Sequence, residues 1–352
     1  MRIVLIDDSI AFDSASPATR PLGGAEKAFV HLATALAKRG HDVVAVNRLE
    51  SPSTSGGVSW VPFDMPRPPD ADVMIAFRKP KLLTEMDNVD KKFLWLTGDA
   101  KILNKPTNQA RLDKTAPTLV FQSQVHKNTF DPWKYFRTAV VEPGVGSVYL
   151  APMPGENDEA AEAAEDDGNP KKAIVTTHPL HGLSWILDRW AEAIHPRAPK
   201  AILEIVSAAL YKADKGGDVP EKLAAVFAKA VEMAGKNVRF VKPESDPGMA
   251  QIYREATVHL YPAVAGETYC WTLAESQAAG LPAVAMDKGP AQDRVRNGQT
   301  GFLVPDESGF ANVAVHLLNN PVVQANMARD CRIMQRGRTW DMAAAEFESL
   351  WA

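Results

Sequence analysis

Short apolar runs rich in β-branched residues recur along this chain, each followed by a helical stretch, and the recurrence happens twice around an acidic break. In the first half, residues 2–6 (RIVLI), 42–46 (DVVAV), 72–77 (DVMIAF), 93–96 (FLWL), 118–123 (TLVFQS) and 138–143 (TAVVEP) read as buried strands. Residues 25–39 read as a helix, with Phe29, Leu32, Ala33 and Leu36 at helical spacing and Gly40 after a basic last turn. The second half restarts with 173–177, followed by a helix over 184–193 and strands at 201–206, 237–241, 258–264, 281–286 and 301–305. Strand-helix alternation predicts an α/β protein built from two Rossmann-like, doubly wound parallel sheets. A length of 352 residues suffices for two ordinary domains. The expected boundaries are 1–151 and 171–338, with a short amphipathic helix in 339–352. Between the domains, 152–170 carries seven acids and no Lys or Arg, so it reads as a solvated linker. It lacks the spacing of an EF-hand, and no calcium site is expected there.

Composition excludes some partners. The formal net charge is −4, so bulk charge points to no nucleic-acid partner. The two cysteines, Cys270 and Cys331, suggest neither a disulfide framework nor a zinc site, and a reducing cytoplasm is the expected location. The opening MRIVLIDDS has no apolar leader, and no apolar run reaches the roughly 20 residues of a membrane span, so export and spanning are not expected.

The stretch 266–287, GETYCWTLAESQAAGLPAVAMD, holds two glutamates at the carboxyl end of a strand, the edge where open α/β sheets bind ligands. Glu267 falls on the loop and Glu275 in the first turn of a helix that begins near Trp271 or Thr272. Backbone N–H groups at that start, around Gly266, Thr268, Tyr269, Cys270, Trp271 and Thr272, favour an anion such as a diphosphate. A carboxylate can accept from two neighbouring hydroxyls, which suits the diol of a ribose or hexose. A plainer reading stays open, because Thr272 and Glu275 also fit a capping box and Glu267 a solvated loop.

These residues resemble the donor motif of family 4 glycosyltransferases. So do Ala278-Ala279-Gly280-Leu281-Pro282 at the helix exit and Asn297-Gly298-Gln299-Thr300-Gly301-Phe302-Leu303-Val304 further on. The resemblance is specific from Gln251 to Pro305 and rests on order and spacing elsewhere. It implies the GT-B fold, two such domains facing a cleft, with the last helix crossing back near Thr339-Trp340. It implies a retaining enzyme that moves a sugar from a nucleotide-diphosphate sugar to a glycan or lipid-linked acceptor, with no cofactor and no metal. Glu275 would hold the ribose and Glu267 the transferred sugar. Gly23 and Gly24, opening the first helix, would line the cleft near the diphosphate. Arg78 and Lys79, just after a strand, and Asp8, after the first one, would lie on the acceptor side.

The chain departs from the family in two places. Where the family has an Arg and a Lys before a glycine, this chain has Thr177-His178-Pro179-Leu180-His181-Gly182-Leu183. His181 stands in the lysine's place, and a diphosphate beside it would favour its charged form. Lys212, Lys215 and Lys242 are the alternative cations. Where many members have a sugar-contacting histidine, this chain has Thr97-Gly98-Asp99, so Asp99 reads either as a sugar partner or as a helix cap. The departures keep a degenerate, non-catalytic binding protein open, and a nucleotide-sugar epimerase is a third reading.

Other motifs say less. No G-x-G-x-x-G follows the first strand, which argues against a nicotinamide enzyme. Asp70-Ala71-Asp72 has a D-x-D form but precedes a strand, where acids commonly make a turn. Residues 71–140 hold twelve Lys or Arg against seven Asp or Glu, a basic face that is either solvated or suited to peripheral contact with an anionic membrane.

Overall fold

The computed structural model describes residues 1–152, 168–264 and 266–352. It divides into two compact units. The first comprises 1–146, 266–269 and 338–352, and the second 147–265 and 270–337. Most of the expected linker, 153–167, lies outside the described residues. The first unit ends before the expected boundary because the short helix Ser147–Leu150 packs in the second. There Tyr149 is fully buried and its hydroxyl donates to Asp246 Oδ1 at 2.9 Å.

The first unit holds an eight-stranded sheet. Its strands are β1 (Arg2–Ile6), β2 (Asp42–Asn47), β3 (Ser53–Ser55), β4 (Val58–Pro62), β5 (Ala71–Phe77), β6 (Val89–Trp95), β7 (Thr118–Phe121) and β8 (Thr138–Val140). The order is β3-β4-β2-β1-β5-β6-β7-β8, parallel except for the β3–β4 pair. Only β3 and β4 escaped the sequence reading. They form a hairpin across Gly56-Gly57, whose φ values of 61° and 76° are those of the two-residue turn that glycine pairs favour. Ser55-Gly56-Gly57-Val58 was a usable signal, but the flanking run is short and polar.

Residues Ile3 to Ile6 have no exposed surface, as a strand covered on both faces requires. Phe29, on the inward face of the helix Gly24–Lys38, meets Phe12 at 5.3 Å and Phe77 at 5.4 Å between ring centroids. Truncating such a ring costs about 3–5 kcal/mol. The C-terminal helix, Trp340–Ser349, joins this unit. Phe347 meets Trp95 at 5.2 Å, Trp340 stacks on His31 at 5.7 Å, and Arg39 pairs with Glu348 at 2.7 Å. Gly144 lets the chain pass beneath, since a Cβ there would lie 2.4 Å from the Trp340 nitrogen.

The second unit holds β9 (Lys172–Val175), β10 (Ile202–Val206), β11 (Val238–Val241), β12 (Val258–Tyr261), β13 (Ala283–Met286) and β14 (Gly301–Val304). Their order is β11-β10-β9-β12-β13-β14, all parallel. Numbered within the unit this is 3-2-1-4-5-6, the dinucleotide-fold order, with its switch point between β9 and β12. Strand β12 is shorter than the 258–264 run because Pro262 and Ala263, the latter at φ 44°, turn the chain out of the sheet. The helix expected over 184–193 runs Leu183–Arg189 and continues as a π-helical turn, Trp190–Ile194.

Candidate functional site

In the second unit the switch point brings together the loop after β9, the segment after β12 and the helix Trp271–Ala278. Gly182 closes the first loop at φ 86°, and a Cβ there would lie 2.5 Å from Pro262 Cβ. Only glycine lets the two loops approach this closely. His178 and His181 are both exposed, with ring centroids 5.3 Å apart. The loop is held by His181 N donating to His178 O at 2.7 Å. Burial, then His181, then Lys222 pull the His178 pKa below its ordinary value.

The helix corrects one detail of the sequence reading. It starts at Trp271, after Cys270 in the left-handed region (φ 61°, ψ 58°), whose own side chain makes no capping hydrogen bond. Thr272 is then its second residue and Glu275 its fifth, in the second turn and not the first. The capping-box reading therefore fails, because Thr272 is inside the helix and not at its cap. Glu275 is 7% exposed, and two buried phenols lie within its electrostatic reach. Tyr149 and Tyr253 are each raised well above the ordinary tyrosine range by burial first, then by Glu275 and by Asp246.

Beneath this cluster His259 on β12 has no exposed surface. Its Nδ1 lies 2.8 Å from Ser276 Oγ and its Nε2 3.0 Å from Thr176 Oγ1. Burial pushes its pKa down to about 3, so the ring is neutral. One imidazole thus ties the strand, the residue next to Glu275 and the start of the β9 loop. The apolar run at 258–264 predicts a buried strand, and because β12 is buried at every position no alternation marks the histidine.

A cavity of about 790 Å³ in the same unit is lined by Gly182, Trp185, Val264, Met286 and Lys288 among others. The alternative cations are less well placed. Lys212 is exposed on the helix Ala208–Asp214. Lys215 pairs with its neighbour Asp214 at 2.9 Å, and Lys242 lies 3.9 Å from Glu244 on the surface.

The first unit has its own switch point, between β1 and β5, and a cluster of ion pairs fills it. Arg78 donates to Asp7 Oδ2 at 2.8 Å, Glu26 Oε1 at 2.9 Å and Ser9 Oγ at 2.6 Å. Its φ of 66° is unusual for a residue with a side chain, a strain of about 1–3 kcal/mol that the ion pairs offset. Lys79 and Lys81 both reach Asp8. Burial alone would raise the Asp8 pKa, but hydrogen bonds from the two lysines bring it below the ordinary value. Asp8, Arg78 and Lys79 thus stand at the expected edge with their charges already paired. Gly23 precedes the first helix and Gly24 begins it. A Cβ on Gly23 would lie 2.4 Å from Glu26 Oε2, so that glycine makes room for the carboxylate facing Arg78.

Residues 266–269 belong to this first unit. Thr268 Oγ1 donates to Thr97 O at 2.9 Å, Ser123 Oγ donates to Thr268 O at 2.9 Å, and Tyr269 OH donates to Pro143 O at 2.7 Å. The side chains of Thr268 and Tyr269 are therefore structural. Gly266 is exposed, with φ 90°, and Glu267 is half-buried. Asp99 accepts from Lys101 N at 2.9 Å and caps the turn Ala100–Asn104. Behind it lies His126, fully buried and unremarked in the sequence. Its Nδ1 accepts from Gln122 N at 3.2 Å and its Nε2 donates to Gly98 O at 2.8 Å, which fixes the neutral tautomer. Burial lowers its pKa further. Asp70 and Asp72 lie at the amino end of β5, away from either switch point, and both bind Arg2, at 3.1 and 2.6 Å.

Residues 173–320 match the family model described as glycosyl transferases group 1. A phosphatidyl-myo-inositol mannosyltransferase of Mycobacterium leprae is 32% identical over 113 residues, covering 32% of this chain and 30% of that protein. A D-inositol 3-phosphate glycosyltransferase of Kribbella flavida is 27% identical over 210 residues, covering 59% of this chain and 49% of its own. The chain thus spans about half or less of the length of these curated relatives. Sucrose-phosphate synthase from Thermosynechococcus elongatus superposes with a TM-score of 0.73 at 17% identity, covering 99% of this chain and 98% of that one. Anabaena HepE in complex with UDP and glucose gives 0.69 at 15% identity, covering 99% of both. The fold is of the GT-B type, and the match to the group 1 model over 173–320 includes the 251–305 stretch on which the sequence resemblance rests. Among the described residues no helix is long and apolar enough to cross a membrane.

Proposed function

We propose that this protein transfers a sugar, with retention of anomeric configuration, from a nucleotide-diphosphate sugar to a hydroxyl of a polyol, glycan or lipid-linked acceptor. The observation that carries this reading is Glu275, a carboxylate buried one turn into the helix Trp271–Ala278 at the switch-point edge, within the span that matches the family. In this reading Glu275 accepts from the ribose diol, and the helix start faces the diphosphate. Glu267 orients the transferred sugar. His181 supplies the positive charge that the leaving diphosphate needs, and developing charge is met by fixed dipoles and not by a cofactor. HepE, a neighbour in fold, is described with UDP and glucose, which supports a nucleoside diphosphate donor. The relatives named for inositol phosphate and phosphatidyl-inositol support a polyol acceptor that carries phosphate. Peripheral contact with an anionic membrane through the basic face of 71–140 belongs to the same reading.

A second reading has an observation of its own. The β9 loop offers histidines in place of two cations, and Arg78 and Lys79 are already paired. A protein that binds the nucleotide sugar without turning it over would look like this. A thermal-shift screen against nucleoside diphosphates and their hexoses tests what the two readings share. A ligand at a hundred times its Kd should add about 2.7 kcal/mol of stability. Stabilisation by no nucleotide would sink both. Turnover should survive EDTA, since the helix start takes the diphosphate. Complete loss restored by magnesium would refute that part.

A further inference from the structure

The edge of the first sheet opposite its switch point carries a second concavity. It has a volume of about 550 Å³ and sits at the amino ends of β6, β7 and β8. Lys91, Lys92, Lys114 and Arg137 line it, against the carboxylates of Asp87 and Asp90. Three elements converge to place these cations, since Lys91 and Lys92 lie near the start of β6, Lys114 lies in the last turn of the helix Pro106–Thr115, and Arg137 directly precedes β8.

These cations retain donors. Lys92 gives two of its three N–H bonds to the carbonyls of Leu83 (3.1 Å) and Met86 (2.5 Å), which anchors the ammonium and leaves a third. Lys91 donates to the Trp351 carbonyl. Lys114 and Arg137 are exposed and have no carboxylate partner among the described residues. Burial lowers the Lys92 pKa, Asp87 partly opposes this, and Lys114 adds a smaller lowering. A proteinaceous pocket that gathers unpaired cations is stabilised by an anion. Thr118 adds a hydroxyl to the wall, whereas the Thr115 hydroxyl is spent on Arg111 O at 2.8 Å.

We infer that this concavity is a second anion site, one that takes the phosphate group of a small metabolite or of a lipid headgroup. It stands roughly 20 Å from the carboxyl edge, the length of β6 at about 3.3 Å per residue. It therefore does not depend on the proposed transfer reaction. Its volume falls in the range of small-molecule sites, which exceeds what phosphate alone fills.

Hydrogen-deuterium exchange on the intact protein tests it, with inorganic phosphate, a hexose phosphate and phosphatidylglycerol vesicles as separate probes. Protection of the peptides spanning 89–93 and 114–118 is expected from at least one probe. The soluble probes protecting would identify a metabolite site, and vesicles alone protecting would identify a headgroup site. Losing both cations in Lys114→Ser/Arg137→Ser should weaken that protection about tenfold or more in ligand concentration, since a charged hydrogen bond contributes about that factor. His181→Ala, at the other unit's edge, should leave it unchanged. No protection from any probe, or protection that survives the double variant, overturns the inference. Because the readout is local to this edge, its failure leaves the glycosyl-transfer reading standing.

Discussion

Replacing Glu275 by alanine removes a single buried carboxylate and should separate nucleotide from phosphate binding. If both ribose hydroxyls donate to it, two charge-assisted hydrogen bonds are lost, each about 1.5 kcal/mol at the low end. The pair then amounts to about 3 kcal/mol, or roughly a hundredfold in Kd. Glu275 and Asp246 both add to the effect of burial on Tyr149 and Tyr253, so the variant keeps one of the two acids beside these phenols. Isothermal titration with a nucleoside diphosphate should show the full loss, whereas inorganic pyrophosphate, which has no ribose, should bind wild type and variant alike. Denaturant unfolding checks that the variant is folded. Equal nucleotide affinity in the two folded proteins, or an equal loss for pyrophosphate, would refute the assignment.

Other expectations follow from the same geometry. His259 is neutral in the fold with a pKa near 3, below its ordinary value of 6.5. The unfolded chain therefore binds the extra proton first. Its contribution to stability is present above about pH 6.5 and lost as pH falls towards 3, with a slope approaching 1.4 kcal/mol per pH unit. His259→Gln should flatten that acid limb in denaturant titrations, and an unchanged limb would contradict the neutral assignment. Gly182→Ala puts a Cβ 2.5 Å from Pro262 at a left-handed backbone position. It should lower stability by about 1–3 kcal/mol and turnover with it, and wild-type values for both would remove the close approach from the account. His181→Lys should keep or raise turnover, whereas His181→Ala should lower kcat more than donor affinity, since charge builds on the diphosphate as the bond breaks. Wild-type kcat in His181→Ala would place the cation elsewhere.

The two parallel sheets were legible because each buried strand is a short apolar run, and runs such as RIVLI at 2–6 leave little choice. The β3–β4 hairpin was not, because the edge strand β3 is exposed and polar and β4 alternates buried and exposed positions, so neither is a continuous apolar run. The position of Glu275 at the helix start was legible from spacing. Its depth was not, because the cap falls on Cys270 in a left-handed conformation and not on Thr272, which shifts the helix by one residue or more. His259 and His126 stayed hidden for a general reason. A buried histidine is recognisable only by partners distant in sequence, here Thr176 and Ser276 for one and Gly98 for the other. The pairing of Lys79 and Lys81 with Asp8 was likewise invisible, since it depends on β1 and β5 lying side by side.

The central claim is that sugar is transferred, and acceptor-dependent release of nucleoside diphosphate measures it directly. Purified protein would be incubated with UDP- and GDP-hexoses, each with and without an inositol phosphate or a lipid-linked polyol, and both the released nucleotide and the glycosylated product followed. The account predicts that at least one pair gives equal amounts of nucleotide and product, and that Glu275→Ala abolishes both. Nucleotide sugar that binds and is never consumed with any acceptor would contradict it and leave a binding protein of the same fold.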